Sequence, residues 1–144
     1  MAKLVLDMDA MEENFFSDTA LIGIVSSLSS HRFCGAINKK IDTAFSRKTT
    51  SDPLIVKGGL EYYFDFYEYP LPLNGGRYAI YKLKSGKEVL LPEVKQLDYL
   101  WLIECAGPEE EAERIMTLLR QLPEVQLAQI IPADKLKHSS YLLV

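Results

Sequence analysis

The sequence of 144 residues predicts one α+β domain with a mixed, largely antiparallel sheet and two helices. Two segments carry apolar residues at helical spacing, and short β-prone runs separated by glycine and proline turns surround them. The order of these segments is that of a ferredoxin-like βαββαβ unit with extra strands. Right-handed crossovers would place both helices on one face of the sheet. The length is close to the commonest size of one domain, so residues 1–144 are expected to form one.

The first half of the chain predicts two strands and a helix. Residues 3–9 indicate a short edge strand, and residues 19–25 indicate an apolar strand. Ser29 or Ser30 would cap the helix that follows. Its buried stripe recurs every four residues, at Phe33, Ile37, Ile41 and Phe45. The basic residues late in this segment complement the negative end of a helix dipole; they are Lys39, Lys40, Arg47 and Lys48.

Residues 49–59 predict a connecting loop, and residues 60–69 predict one strand with an aromatic and polar alternation. Asn74-Gly75-Gly76 supplies a hairpin turn to a partner strand at residues 77–84. Tyrosines on one face of this hairpin indicate either a protein-contact surface or an aromatic ladder that stabilises the sheet. Acidic residues among them oppose stacking of nucleic-acid bases. The candidate interface residues are Tyr63, Tyr67, Tyr69 and Tyr81.

Residues 97–105 are the strongest predicted strand, and apolar side chains on both of its faces indicate a central position in the sheet. Leu100 and Leu102 face away from the two helices, and a homodimer that stacks sheet on sheet would cover them. Gly107-Pro108 and an acidic first turn open the second helix. Pro123 ends it, residues 125–131 return as a strand, and residues 141–144 predict a last edge strand.

Composition excludes several classes of protein. Sixteen basic against twenty acidic residues give a net charge of −4, which offers no positive field to nucleic acid. No apolar run reaches the roughly 20 residues of a membrane span, and the N-terminus lacks a secretory signal, so a cytoplasmic location is expected. Cys34 and Cys105 are predicted to be reduced core thiols. The glycine pairs match no phosphate or dinucleotide loop, so no cofactor is predicted.

A motif, Leu91-Pro92-Glu93 followed by Leu97-Asp98-Tyr99, leads into the central strand. Glu93 and Asp98 are conceivable as an acid–base pair, although the sequence does not fix their separation. The structural interpretation is favoured: Pro92 sets the backbone, Glu93 accepts hydrogen bonds, and Asp98 pins the entry to the strand. His31 and His138 have no partner motif, so no catalytic residue and no metal site are assigned.

The motif resembles that of the IPExxxVDY family, an uncharacterised family found chiefly in Bacteroidetes. Leu91 and Leu97 replace the isoleucine and valine of its name. The resemblance extends to residues 3–7, to residues 21–28 and to the closing helix and strand. Val25 stands where the family resemblance implies a histidine, which weakens an enzymatic interpretation. The resemblance implies a bacterial, cytoplasmic protein with no known activity.

Three functional hypotheses follow. The first is a non-enzymatic interaction or assembly module, either a homodimer or bound to a protein partner, which uses the aromatic hairpin at residues 60–84 and the exposed side of the central strand. The second rests on a similarity of the closing strand–helix–strand to ACT-like and Lrp-type domains, and expects a metabolite pocket at Gly107 and the loops near the motif. The third is an enzyme that uses Glu93 and Asp98.

Overall fold

The computed structural model describes residues 18–72, 76–132 and 136. The strands predicted at residues 3–9 and 141–144, and Asn74 and Gly75 of the predicted turn, lie outside them. In chain order the described elements are β1 (Thr19–Val25), α1 (Ser30–Ile41), β2 (Ser46–Arg47), β3 (Leu54–Lys57), β4 (Leu60–Tyr63), β5 (Phe66–Pro70), β6 (Arg77–Lys82), β7 (Lys84–Ser85), β8 (Glu88–Val89), β9 (Tyr99–Glu104), α2 (Pro108–Arg120) and β10 (Leu127–Ile131).

Six of the described strands form the main sheet in the order β10-β1-β9-β6-β5-β2, and every neighbouring pair is antiparallel. Its first four strands have the ferredoxin-like order, and β5 and β2 extend it. Two small hairpins, β3-β4 and β7-β8, stand outside this sheet. The predicted α+β class and the central position of β9 are confirmed.

Helix α1 begins where the serines predict, but it ends before Phe45, the last residue of the predicted apolar stripe. Ser29 is the residue before the helix, and its carbonyl accepts the first helical hydrogen bond from the Phe33 N–H at 2.8 Å. Asp42 takes a left-handed conformation with φ of 62°, which ends the helix after Ile41. Phe45 is nevertheless buried, because the Asn38 side chain pairs with both its N–H and its carbonyl. Phe45 therefore lies outside the helix in which it is predicted, although it is buried as predicted.

Alternate side chains of β9 lie in two separate cores. Tyr99, Trp101 and Ile103 face a first cluster, to which α1 contributes Phe33 and α2 contributes Ile115. Both helices therefore cover the same face, as predicted. Leu100 and Leu102 face the second cluster and are fully buried, at 0% exposure.

The second face of the sheet is covered by the chain itself. The expectation that a sheet-on-sheet homodimer covers Leu100 and Leu102 is wrong, because seven of the described residues from outside the main sheet lie over this face. Burial of each large apolar side chain contributes roughly 1.5–3 kcal/mol. Five of the covering residues come from the segment between β6 and β9, and three of those five belong to the motif. Among the described residues the set is Phe64, Leu83, Leu90, Leu91, Val94, Leu97 and Leu136.

Gly23 gives Leu97 its place against the sheet. A Cβ atom at Gly23 would lie 2.4 Å from Leu97 Cδ1 and 3.0 Å from Ile131 Cγ1. Gly23 pairs with Leu100 of β9, so Leu97 packs over the middle of the β1-β9 pair. A glycine in β1 is thus required by packing rather than by backbone conformation.

Gly23→Ala should lower the free energy of unfolding by about 1–3 kcal/mol, because the added methyl group overpacks the Leu97 contact. Urea titration measures this change. Gly35→Ala is the matched control: nothing lies within 4 Å of its added Cβ, and alanine favours a helix over glycine by about 0.5–1 kcal/mol.

Leu97→Ala should lower the free energy of unfolding less in the Gly23→Ala background than in the parent protein, because the new methyl group fills part of the space that Leu97 leaves. Additive effects of the two substitutions would show that Leu97 does not pack on Gly23.

Candidate functional site

The apolar residues of the motif are part of the second core. Pro92 is the first residue of a 3₁₀ turn, Pro92–Val94, where its missing N–H is not needed. Leu91 and Leu97 are buried, at 1% and 0% exposure. The motif is therefore a covering segment for the sheet, and its leucines act through packing.

Asp98 connects three parts of the chain, as the prediction of a pinning role requires. Its Oδ2 accepts a hydrogen bond from the Ser26 N–H at 3.0 Å, and its Oδ1 accepts one from Lys84 Nζ at 2.8 Å. Its own N–H donates to the Ile24 carbonyl at 2.9 Å. The carboxylate therefore fixes the end of β1 and the start of β7 to the entry of β9.

Tyr99, the last residue of the motif, is held in the first core. Its hydroxyl donates to the Leu28 carbonyl at 2.5 Å, and its ring stacks on Phe33 with centroids 4.2 Å apart. Burial raises the pKa of Tyr99, so the phenol stays protonated and serves as a donor. This contact ties β9 to the loop that leads into α1.

The predicted tyrosine face is divided among three environments. The strand expected at residues 60–69 breaks at Phe64 and Asp65, so that β4 leaves the main sheet and β5 joins it. Tyr67 and Tyr81 are buried, at 7% and 0% exposure, and the prediction that they are available for contact is wrong. Tyr69 is half-buried against Phe45 and Tyr78. Only Tyr63, at 53% exposure, remains on the surface.

The hairpin of β3 and β4, residues 53–64, is called the arm below. The prediction of a loop at residues 49–59 is wrong, because β3 lies within them. Gly58 and Gly59 have φ of 61° and 79°, as a two-residue hairpin turn requires. Ile55 and Tyr62 are paired across the arm and pack against the second core. Leu54, Val56 and Tyr63 lie on the opposite face, at 39%, 62% and 53% exposure. Glu61 shares this face across from Val56, and its Oε2 accepts a hydrogen bond from the Tyr63 hydroxyl at 2.8 Å.

This outward face is the main exposed apolar patch among the described residues. Leu60, at the arm's turn, is also exposed, at 61%, but it lies on the same face as Tyr62 and is not part of this patch. The two other large apolar residues exposed in the described ranges are Leu127 and Ile130 of β10. They are three positions apart on a strand, so they point to opposite faces and form no common patch.

A single arginine fastens both ends of the arm to the main sheet. Arg47 Nη2 donates to Asp52 Oδ2 at 2.8 Å and to Asp65 Oδ1 at 2.9 Å, and Nη1 also donates to Asp52. Asp52 precedes the arm and Asp65 follows it. Asp52 Oδ1 accepts a further hydrogen bond from the Phe66 N–H at 3.1 Å. The planar guanidinium therefore joins the entering and leaving chains at one point.

The base of the arm is also tied to helix α1. Asp65 Oδ2 accepts a hydrogen bond from Ser30 Oγ at 2.5 Å, which places a negative charge at the positive end of the helix. Ser30 Oγ lies 3.2 Å from the Tyr67 hydroxyl, and the Tyr67 ring lies 5.6 Å from the Arg47 guanidinium carbon. These groups satisfy one another, so the cluster is a structural joint.

Cys34 lies beside this cluster and is buried, as predicted. Burial, together with the charge of Asp65, raises the pKa of the Cys34 thiol to about 12. The thiolate needed for nucleophilic chemistry is therefore scarce at neutral pH. Cys105 is only half-buried, so its predicted core position is partly wrong.

An open groove of about 290 Å³ separates the arm from the motif segment. It is bridged at one point by Lys57 and Glu88, whose Nζ and Oε2 atoms are 3.3 Å apart. Neither Glu93 nor Asp98 lines it, so the groove does not bring the imagined acid–base pair together. The lining residues are Ile55, Val56, Lys57, Glu88, Val89, Leu90 and Pro92.

The pocket expected for a metabolite sensor is not formed as one unit. Gly107 follows β9 and the motif precedes it, so these two loops meet the strand at opposite ends. Six residues of strand separate them by roughly 20 Å.

Comparison with protein-family models, curated proteins and solved structures found no match. The resemblance to the IPExxxVDY family stays a prediction. No helix within the described residues is long and apolar enough to cross a bilayer. Within the same ranges, histidine, cysteine and carboxylate side chains form no group of three that could hold a metal ion.

Sequence reasoning missed the arm and its arginine, although a signal was present. Gly58-Gly59 lies midway between Asp52 and Asp65, with apolar residues on each side. Read together, these features indicate a hairpin with an acidic residue at each end. A place for Arg47 at the end of the first helix, as the sequence predicts, does not indicate that it binds both aspartates.

Arg47→Met should lower the free energy of unfolding by about 1–3 kcal/mol, the cost of leaving the buried Asp52 carboxylate without its arginine donors. Amide hydrogen exchange should accelerate in the arm more than in β9. Arg47→Lys should be intermediate, because an ammonium group cannot bind both aspartates through a planar fork. Lys48→Met removes an exposed neighbouring cation and serves as the control. Unchanged exchange in the arm of Arg47→Met would contradict the fastening role.

Cys34 should resist a chromogenic thiol reagent at about pH 8, because its raised pKa and burial leave little accessible thiolate. It should react only at the rate of unfolding, and urea should release it. The Cys34→Ala variant should lack this slow phase. Rapid modification of both thiols in the folded protein would show that Cys34 is not in the core.

Proposed function

We propose that this protein is a non-enzymatic protein-interaction module whose contact surface is the outward face of the arm. The observation that carries the proposal is the concentration of Leu54, Val56 and Tyr63 on one face of a hairpin. Exposed apolar patches of this kind on a folded domain are typical of protein-contact sites. Tyrosine suits such a surface because it supplies a large contact area and loses little conformational entropy.

The joint at Arg47 supports the proposal. A hairpin of two strands is marginally stable in water by itself. Here the inward face packs on the second core, and Arg47 binds the residues at both ends. A surface that is held in place before binding loses less entropy when a partner docks, which favours affinity.

The partner is proposed to be another protein, in the cytoplasm that the sequence predicts. The net charge of −4 disfavours nucleic acid, and the free thiols of Cys34 and Cys105 suit a reducing compartment. A second copy of the chain remains one form that the partner could take. It is no longer required for folding, because the chain covers both faces of β9.

Tyr63→Ser should weaken binding to a purified partner roughly 30-fold, equivalent to about 2 kcal/mol, because it removes the one aromatic side chain of the patch. Val56→Asp should abolish binding, because it replaces an apolar contact with a second carboxylate directly across from Glu61. The partner is first isolated by affinity capture and then titrated by calorimetry against the purified variants.

Ile130→Ser is the matched control, since Ile130 has a similar exposure to Leu54 but lies on β10. Binding should be unchanged in this variant, and all three variants should keep the parent melting temperature. Tyr67→Ser is unsuitable as a test because Tyr67 is buried. Equal binding by the parent, Tyr63→Ser and Val56→Asp would refute the arm as the contact surface.

A further inference from the structure

The outer edge of β3 presents backbone groups to the groove. In an antiparallel pair, alternate residues direct their N–H and C=O groups toward the partner strand. The Phe64 N–H donates to the Pro53 carbonyl at 3.0 Å, so Pro53, Ile55 and Lys57 point toward β4. Leu54 and Val56 therefore direct their backbone groups away from β4. Among the described strands, β3 pairs with β4 alone.

The outer edge of β8 has the same property. The Leu90 N–H donates to the Leu83 carbonyl at 2.9 Å, and the register pairs Lys84 with Val89. By the same alternation, Val89 directs its N–H and C=O away from β7. Within the described part of the chain, β7 is the one strand that pairs with β8.

These two edges form opposite walls of the groove. Its lining comes from β3 and β8 and includes no residue of β4 or β7. Each wall therefore offers donors and acceptors to a strand placed between them. Leu90 and Pro92 extend the apolar lining, and the only charges in it are the mutually paired Lys57 and Glu88.

We propose that an extended, uncharged and apolar segment of a partner protein binds in this groove as an added β-strand, paired to β3 and β8. This inference rests on the proposed function and names the partner's chemistry. Strand addition uses backbone hydrogen bonds for affinity and alternate side chains for specificity. Side chains on one face of the segment would extend the patch of Leu54 and Val56, and those on the other would meet Leu90 and Pro92.

The two-walled form of the groove distinguishes this occupant from a second copy of the arm. A β3 strand from another copy carries its own β4 along one edge. That β4 would lie between the inserted strand and β8, so the inserted strand could not pair with β8. A single extended segment has both edges free, so it can satisfy both walls.

The test uses short random peptides displayed in a library and selected on the whole protein. Selected peptides should alternate apolar residues and lack charge. Val56→Pro removes an N–H that points into the groove and none that pairs with β4, and proline is tolerated at strand edges. It should weaken the selected peptide at least about tenfold. Val56→Thr keeps the N–H and the branched shape, and should stay within about threefold of the parent.

A second measurement leaves the protein unchanged. Methylation of either alternate set of backbone nitrogens in the selected peptide should weaken binding, because one set donates to β3 and the other to β8. In the parent protein, the peptide should slow amide exchange of Leu54, Val56 and Val89 at least about tenfold. Protection of Glu61 and Tyr63 instead would place the peptide on the edge of β4 and overturn the proposal.

The remaining outcomes separate the two proposals. If Val56→Pro binds like the parent while Tyr63→Ser loses binding, strand addition is wrong and the outward face remains the contact surface. If neither variant changes binding, both proposals fail. If the selection recovers no more peptide on this protein than on an unrelated protein, strand addition is wrong. If self-association of the chain protects the same three amides, the partner is a second copy, and the proposed partner is wrong.

Discussion

Both faces of β9 carry large apolar side chains, and the need to cover both determines the rest of the architecture. Tyr99 and Trp101 require the helices on one side, while Leu100 and Leu102 require an equal cover on the other. A ferredoxin-like unit supplies helices to one face only. The chain meets the second requirement by folding the segment between β6 and β9, together with the base of the arm, across the open face.

The motif and the groove are consequences of this second cover. Leu91 and Leu97 must reach the sheet, so Pro92 is left at the surface, where it lines the groove beside the arm. Packing of Leu97 on Gly23 holds one wall, and Arg47 holds the other through both ends of the arm. The surface proposed for binding is therefore supported at each side by the core.

The predictable part of the fold follows from local patterns. Only a helix buries all the apolar residues around Ile115 on one face, and only a strand covered on both sides buries those of β9. The fold class, the helices and the central strand could therefore be derived. What covers Leu100 depends on contacts between distant segments, which periodicity does not encode. The arm was missed for a related reason: an unbroken alternation at residues 60–69 does not show that β4 leaves the sheet at Phe64. The arginine between two distant aspartates is likewise a tertiary feature.

The central claim is that one chain covers both faces of its own sheet, which leaves the arm available to a partner. It is tested most directly by the melting temperature of the purified Val56→Asp variant, whose arm should bind no second copy, as a function of protein concentration. A fold that needs a second copy to cover its sheet gains stability by mass action. We predict one cooperative transition whose midpoint is the same over a hundredfold range of concentration, on the order of micromolar and above. A midpoint that rises steadily with concentration would show that a second copy, and not residues 83–97, covers Leu100 and Leu102.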